Sequence, residues 1–169
     1  MSTRVRRTRT TLLLLALATL LAACGGGGSG NGSSRGEVEA ATTERAQEAV
    51  PLVSEALGAG TTRASAEWQS CMAISSRYEA FATLKAPVGD TDAQLDEVRA
   101  ALTGAGYDDT TQVNGHVTVT RDETTVDVQP SPARGEGTWV VQVKSRCAHY
   151  DGDDLERVKN DEARPLDGV

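Results

Sequence analysis

The chain has 169 residues, with 17 basic and 24 acidic side chains, and its formal net charge at pH 7 is −7. This length fits one main domain, and the acidic balance argues against a nucleic-acid partner, which requires clustered Lys and Arg. Leu, Val, Ile and Phe are too scarce for a generous core, so we expect a fold that relies on regular apolar spacing and a covalent cross-link.

Residues 1–23 have the parts of a lipoprotein signal peptide. Residues 11–21 are apolar but too short for a permanent membrane helix, which needs about 20 residues. Small residues Ala22 and Ala23 precede Cys24, which predicts cleavage before Cys24 and a diacylglycerol on its sulfur. An ordinary secretory signal is the alternative, and the general secretory and twin-arginine routes both remain open. The basic region ahead of the apolar run consists of Arg4, Arg6, Arg7 and Arg9.

Residues 24–36 then form the lipidated cysteine and a flexible Gly/Ser linker, with an r.m.s. reach of about 20 Å. After cleavage, 13 basic residues remain against 24 acidic ones, and the net charge becomes −11. We predict that the protein is lipid-anchored at the extracytoplasmic face of the cell membrane. Two acyl chains suffice for stable anchoring. Residues 37–169 are predicted to form a single globular domain.

The first half of that domain reads as one helix and two strands. Residues 37–57 follow the helical period up to Gly58, and Pro51 should either kink this helix or begin a second short one. Residues 63–74 and 77–85 alternate as strands. Parity places Trp68 and Cys71 on opposite faces of the first strand, so a bulge or an early strand end is needed to bring both inward.

The second half reads as a helix followed by three strands. Residues 91–94 (Thr-Asp-Ala-Gln) predict a capping box that opens a helix to about residue 103. Strands at 113–121 and 124–129 form a hairpin, and residues 138–147 alternate most regularly. The side chains predicted to face inward are Leu95, Val98, Leu102, Val117, Val119, Val126, Val128, Trp139, Val141 and Val143.

These elements predict an α+β fold: an antiparallel sheet of about five strands with two helices packed on one face, in the order α-β-β-α-β-β-β. With Cys24 acylated, Cys71 and Cys147 are the remaining thiols, and export favours a disulfide between them. A redox-active or metal-binding pair is the alternative, but the chain has no C-x-x-C motif and two thiols do not make a zinc site.

Several short motifs together resemble a known class of protein. They are Trp68-x-x-Cys71, Tyr78, residues 84–87 (Leu-Lys-Ala-Pro), Gly106-Tyr107 and Ser145-x-Cys147, behind the signal and the glycine linker. In this pattern the chain resembles the small uncharacterised membrane-anchored lipoproteins of high-GC Gram-positive (actinobacterial) type. The resemblance implies an envelope location and an α+β fold. It implies no activity.

Candidate catalytic and metal-binding residues are few. His116 and His149 are the only histidines, and we predict both to be surface residues. Residues 151–154 (Asp-Gly-Asp-Asp) are similar to part of a calcium loop, but an aspartate N-cap for a helical run at 155–160 explains them as well. We therefore predict no catalytic residue, no metal site and no cofactor.

Two classes of function remain. We predict first a non-enzymatic envelope accessory or binding module, whose partners are the membrane, through the lipid on Cys24, and another envelope protein. The contact surface would be an exposed sheet face or the groove between helix and sheet. The alternative is a carrier of a small apolar ligand in a helix–sheet pocket, against which the scarcity of large apolar residues argues. We predict no nucleic-acid partner and no enzymatic activity.

Overall fold

The computed structural model describes residues 33–72 and 74–169. The predicted signal peptide, Cys24 and most of the linker lie outside the described residues. Within the described ranges the elements are α1 (Arg35–Ala56), β1 (Gly60–Met72), β2 (Ser75–Lys85), α2 (Thr91–Gly104), β3 (Asp108–Asp109), β4 (Val117–Arg121), β5 (Thr124–Pro130), β6 (Thr138–Ser145), α3 (Gly152–Lys159) and β7 (Arg164–Pro165).

The strands form one antiparallel sheet in the spatial order β3-β4-β5-β6-β2-β1-β7. The predicted α+β class and antiparallel sheet are confirmed. The predicted count of about five strands and the predicted element order are wrong. The two additional strands, β3 and β7, have two residues each and pair with β4 and β1 at opposite edges of the sheet. Two residues are too few to show any alternation in a sequence.

Helix α1 is a single helix in which Pro51 lies four residues after Gln47. The proline removes the backbone hydrogen bond to the Gln47 carbonyl, but both residues lie on the exposed side of the helix, and the helix continues to Ala56. Its first turn has a capping box, in which the Glu37 carboxylate accepts from the Ser34 amide at 2.7 Å. Thr42, Ala46, Ala49, Val50 and Val53 are its buried residues.

The N-cap of helix α2 is Asp90, one residue before the Thr91 cap that the sequence predicts. The carboxylate of Asp90 accepts from the amides of Asp92 and Ala93, at 3.0 and 3.1 Å. The side-chain amide of Gln94 instead donates to the Pro87 carbonyl at 3.1 Å, and its backbone N–H donates to the Asp90 carbonyl at 3.0 Å. The predicted capping box between Thr91 and Gln94 is therefore wrong, since the stronger carboxylate cap precedes it. The inward residues of this helix are as predicted: Leu95, Val98 and Leu102.

The core lies between the helices and one face of the sheet, here called the inner face. In the strand register, Val119 of β4, Val126 of β5, Val143 of β6 and Ala80 of β2 form one row across four neighbouring strands. A second row runs parallel to it and is formed by Val117, Val128, Val141 and Ala82. All eight side chains are at most 2% exposed, and helices α1 and α2 pack over this side of the sheet.

A disulfide joins Cys71 to Cys147, with a Cα–Cα distance of 6.2 Å, and confirms the predicted pairing. A register shift between Ser70 and Met72 supplies the bulge that parity requires at Cys71. Strand β6 ends at Ser145, so Cys147 lies beyond it and is exposed. The bond passes over the start of β2, because Ser76 pairs with Ser70 on one side and with Ala148 on the other.

Removing this cross-link should destabilise the domain strongly. The double variant Cys71→Ser, Cys147→Ser should lose up to about 4–5 kcal/mol of unfolding free energy, because the bond restricts the unfolded chain across a separation of 76 residues. Urea unfolding measures the loss. The control is Met72→Ser, which changes an exposed neighbour and keeps the bond. An unfolding free energy equal to that of the wild type would contradict the structural role.

Candidate functional site

The outer face of the sheet, opposite the helices, carries a polar recess with a volume of about 440 Å³. It lies over β1, β2 and β6, where alternate side chains point away from the core. This volume is within the range of about 300–1,000 Å³ that ligand sites occupy. The lining residues are Ser65, Glu67, Gln69, Ser70, Arg77, Glu79, Phe81 and Gln142.

Two carboxylates face each other across this recess. Glu67 of β1 is the register partner of Glu79 of β2, and Glu79 is only 9% exposed. Like charges placed directly opposite destabilise a sheet. Arg77 offsets part of this repulsion, because its Nη2 lies 3.1 Å from Glu79 Oε2. The Gln69 amide donates to Glu67 at 2.6 Å. The recess thus holds acceptor oxygens together with guanidinium and amide donors.

An aromatic ring lies among these polar groups. Phe81 is half-buried on the outer face, between Ser65 of β1 and Gln142 of β6 in the register. The guanidinium of Arg134, in a short 3₁₀ turn after β5, lies 5.1 Å from the centre of the Phe81 ring. The far part of the outer face is therefore partly covered by this turn, and the part over Glu67 and Glu79 is the recess.

A smaller cavity lies at the rim between helix and sheet. Its volume is about 70 Å³, well below that of usual ligand sites. Ser33 and Glu37 at the start of α1 and Thr124, Ser145 and Ala148 of the sheet are among its lining residues. The helix–sheet interface beside it is filled by side chains that are almost completely buried. The geometry therefore favours the outer face over the interior as a place for a ligand.

Trp68, singled out by the sequence, has a structural environment. Its ring lies 5.4 Å from that of Tyr78 and 5.0 Å from that of Tyr150, and its indole N–H donates to Glu39 at 2.7 Å. Glu39 also pairs with Arg35 at 2.6 Å. The polar end of the indole is thereby satisfied inside the fold, and Trp68 is not part of the recess.

Tyr107 has a similar structural role at the other side of α1. The guanidinium of Arg121 lies 4.4 Å from its ring centre, and that of Arg45 lies at 5.7 Å. Burial, with the nearby Glu48 carboxylate adding to it, raises the pKa of Tyr107 to about 12. Arg121 also pairs with Glu48, which ties β4 to α1.

The two histidines lie in different places. His116 is half-buried on the outer side, and its Nδ1 is 3.5 Å from Asp127 Oδ1. His149 is exposed and makes two contacts: Nδ1 lies 2.7 Å from the Ile74 carbonyl and Nε2 lies 3.1 Å from Asp151 Oδ1. Both of these oxygens are acceptors, so the arrangement favours the doubly protonated ring. The hydrogen bond to Ile74, reinforced by the Asp151 charge, raises the pKa of His149 above its usual value of 6.5.

The acidic run at 151–154 opens helix α3 (Gly152–Lys159). Asp151 occupies the N-cap position, but its side chain makes no capping hydrogen bond and contacts His149 instead. Across residues 33–72 and 74–169, no three His, Cys, Asp or Glu side chains cluster closely enough to hold a metal ion. Of the three cysteines singled out from the sequence, the structure brings Cys71 and Cys147 together, and Cys24 lies outside the described residues.

The residues of the recess were not identified from the sequence. Their one signal is the alternation of polar residues along β1 and β2, which marks a solvent-facing row but does not show which residues meet across strands. No protein-family model, no curated protein and no solved structure matches the chain. Among the helices of the described part of the chain, none has both the length and the apolar character to cross a membrane.

The His149 environment gives a prediction for pH. A raised pKa means that the charged ring stabilises the folded state; this contribution is complete below the unfolded-state value and is lost as the pH rises through the folded-state value. NMR titration should give a folded-state value above 6.5, and Asp151→Asn should lower it. Asp153→Asn, the matched control, should leave it unchanged. Equal values in folded and urea-unfolded protein would show that the two contacts do not persist in solution.

Proposed function

We propose that this protein is a lipid-anchored lipoprotein of the extracytoplasmic face of the cell membrane and acts there as a non-enzymatic binding module. The location rests on the basic region, the apolar run and the small residues before Cys24. The resemblance to small actinobacterial lipoproteins supports the same location. The disulfide between Cys71 and Cys147 is consistent with export to an oxidising compartment.

The outer face is the proposed contact surface. The observation that carries this proposal is the recess of about 440 Å³ on that face, with a pair of opposed carboxylates beside a half-buried phenylalanine. Glu67 and Glu79 repel each other. Glu79 is compensated by Arg77 and by its register partner Lys144 of β6, whereas Glu67 accepts from the Gln69 amide and pairs with no cation among the described residues. Side chains that disfavour the free fold are expected where a partner compensates them.

The chemistry of the recess defines the kind of partner. Glu67 and Glu79 offer acceptors, while Arg77, Gln69 and Gln142 offer donors. A polar segment of another envelope protein, with amide or ammonium donors toward the two carboxylates, fits this arrangement. The net charge of −11 after cleavage disfavours nucleic acid. The cavity between helix and sheet has a volume of about 70 Å³, which is too small to support a carrier of apolar ligands there.

The anchor is tested at Cys24. Cys24→Ala should abolish metabolic labelling with a clickable fatty acid and release the protein from the membrane fraction, because no other site is proposed to carry the acyl chains. Cys147→Ser serves as the control for loss of a cysteine and should leave labelling intact. Persistent labelling of Cys24→Ala would exclude the lipoprotein assignment.

The contact surface is tested with two matched glutamines. Gln142→Arg places a long cation in the recess, and Gln112→Arg makes the same change at an exposed loop position outside it. In cells expressing the full chain, chemical cross-linking followed by quantitative mass spectrometry should identify a partner whose yield falls at least about tenfold in Gln142→Arg. The Gln112→Arg protein should retain the wild-type yield. Equal yields for both variants would place the contact elsewhere.

A further inference from the structure

Two large apolar side chains project from the turn between β1 and β2. Met72 is 75% exposed and Ile74 is 72% exposed, in a chain that has few large apolar residues. We call these two side chains the hairpin tip. The other large apolar side chains that stand out as exposed within the described residues are Val88 and Val113.

The hairpin tip is held by three constraints. Cys71, next to Met72, is bonded to Cys147. The Ile74 carbonyl accepts from His149 Nδ1 at 2.7 Å. Ser76, just after the tip, forms a two-hydrogen-bond bridge with Ala148, at 2.9 Å in both directions. A turn fixed in this way loses little conformational entropy when its side chains enter another phase.

The tether joins the domain at the same end. Ser33, the first described residue, lines one small cavity together with Ser145, Arg146 and Ala148, and Ala148 is the residue that pairs beside the tip. The sequence from Cys24 to Ser33 is Gly/Ser-rich, and for this composition and length we expect a reach of about 15–20 Å. An anchor on Cys24 therefore keeps this end of the domain close to the bilayer.

The other two exposed side chains lie at the opposite end of the sheet. Val88 lies beside Gly137, which precedes β6, whereas the tip lies beside the segment that follows β6. Val113 precedes β4. The first residue of β4, Val117, is in register with Val128 and Val141, and its last residue, Arg121, is in register with Thr124 and Ser145 at the tip end. Val113 therefore lies away from the tip. Val88 and Val113 can therefore serve as internal controls for the exposed apolar side chains of the hairpin tip.

We propose that the hairpin tip inserts Met72 and Ile74 into the interfacial region of the bilayer in which the lipid on Cys24 is anchored. This inference rests on the proposed lipid anchor. Apolar side chains that enter the headgroup–acyl boundary are stabilised by loss of contact with water. Exposed acidic residues lie at the same end, among them Asp122, Glu123 and Asp151, and they would repel anionic lipid. The proposed contact is therefore apolar and needs no anionic lipid.

The test uses the full lipidated chain in phosphatidylcholine vesicles that contain a small fraction of lipid with a diazirine in its acyl chain. Intact mass first verifies the acyl chains on Cys24. After irradiation, reduction and trypsin digestion, lipid adducts should be several-fold more abundant on peptide 64–77, which contains the tip, than on peptides 86–99 and 100–121, which contain Val88 and Val113. The ratio should not change with salt, because the contact is apolar.

A second measurement follows transfer of the lipidated protein between vesicles. The variant Met72→Ser, Ile74→Ser should transfer faster, by about tenfold for each side chain withdrawn from the interface. The matched variant Val88→Ser, Val113→Ser should transfer at the wild-type rate. Equal adduct yields on the three peptides, adducts of the tip with protein instead of lipid, or equal transfer rates would overturn the tip inference alone. Absence of acyl chains on Cys24 would overturn both this inference and the proposed function.

Discussion

The structure depends on the burial of one face of its sheet by small and β-branched side chains. Rows of valines and alanines cross four strands, and α1 and α2 pack directly on them. Valine is stiff and fits the pleated surface well, so a close-packed layer forms although the chain has only seven leucines after Cys24. Because the core lies against the inner face, most of the outer face can carry polar side chains, and the recess lies there, although Val140 is buried on that face.

Much of this inner face could be predicted from the sequence, because period-two alternation is long and regular in β2, β5 and β6. The predicted inward positions of Val126, Trp139 and Val143 follow from it and are observed. The two-residue strands β3 and β7 could not be predicted, because they exist only through pairing with β4 and β1. The N-cap of α2 could not be predicted to the residue, because Asp90 and Thr91 both favour that position. The path of the chain from Pro87 to the helix decides between them.

The candidate site is harder to predict than the fold, because it is a consequence of register. Alternation shows that Glu67 and Glu79 point to the outer face, but only the pairing of β1 with β2 places them opposite each other. That pairing is shifted at two positions, between Thr61 and Arg63 and between Ser70 and Met72. Register shifts cannot be located from the sequence, so the sequence does not show that the two carboxylates meet beside Phe81.

The position of the disulfide brings these features together. A cross-link that acts mainly on the unfolded chain contributes its stabilisation wherever the two cysteines meet in the fold, so it does not need to occupy the core. Here it lies at the rim, with Cys147 exposed, and leaves the valine rows undisturbed. The same bond fixes the hairpin tip against the segment after β6, beside the point where the tether enters. In the proposed function, stability, partner contact and membrane contact thus belong to the inner face, the outer face and one end of a single sheet.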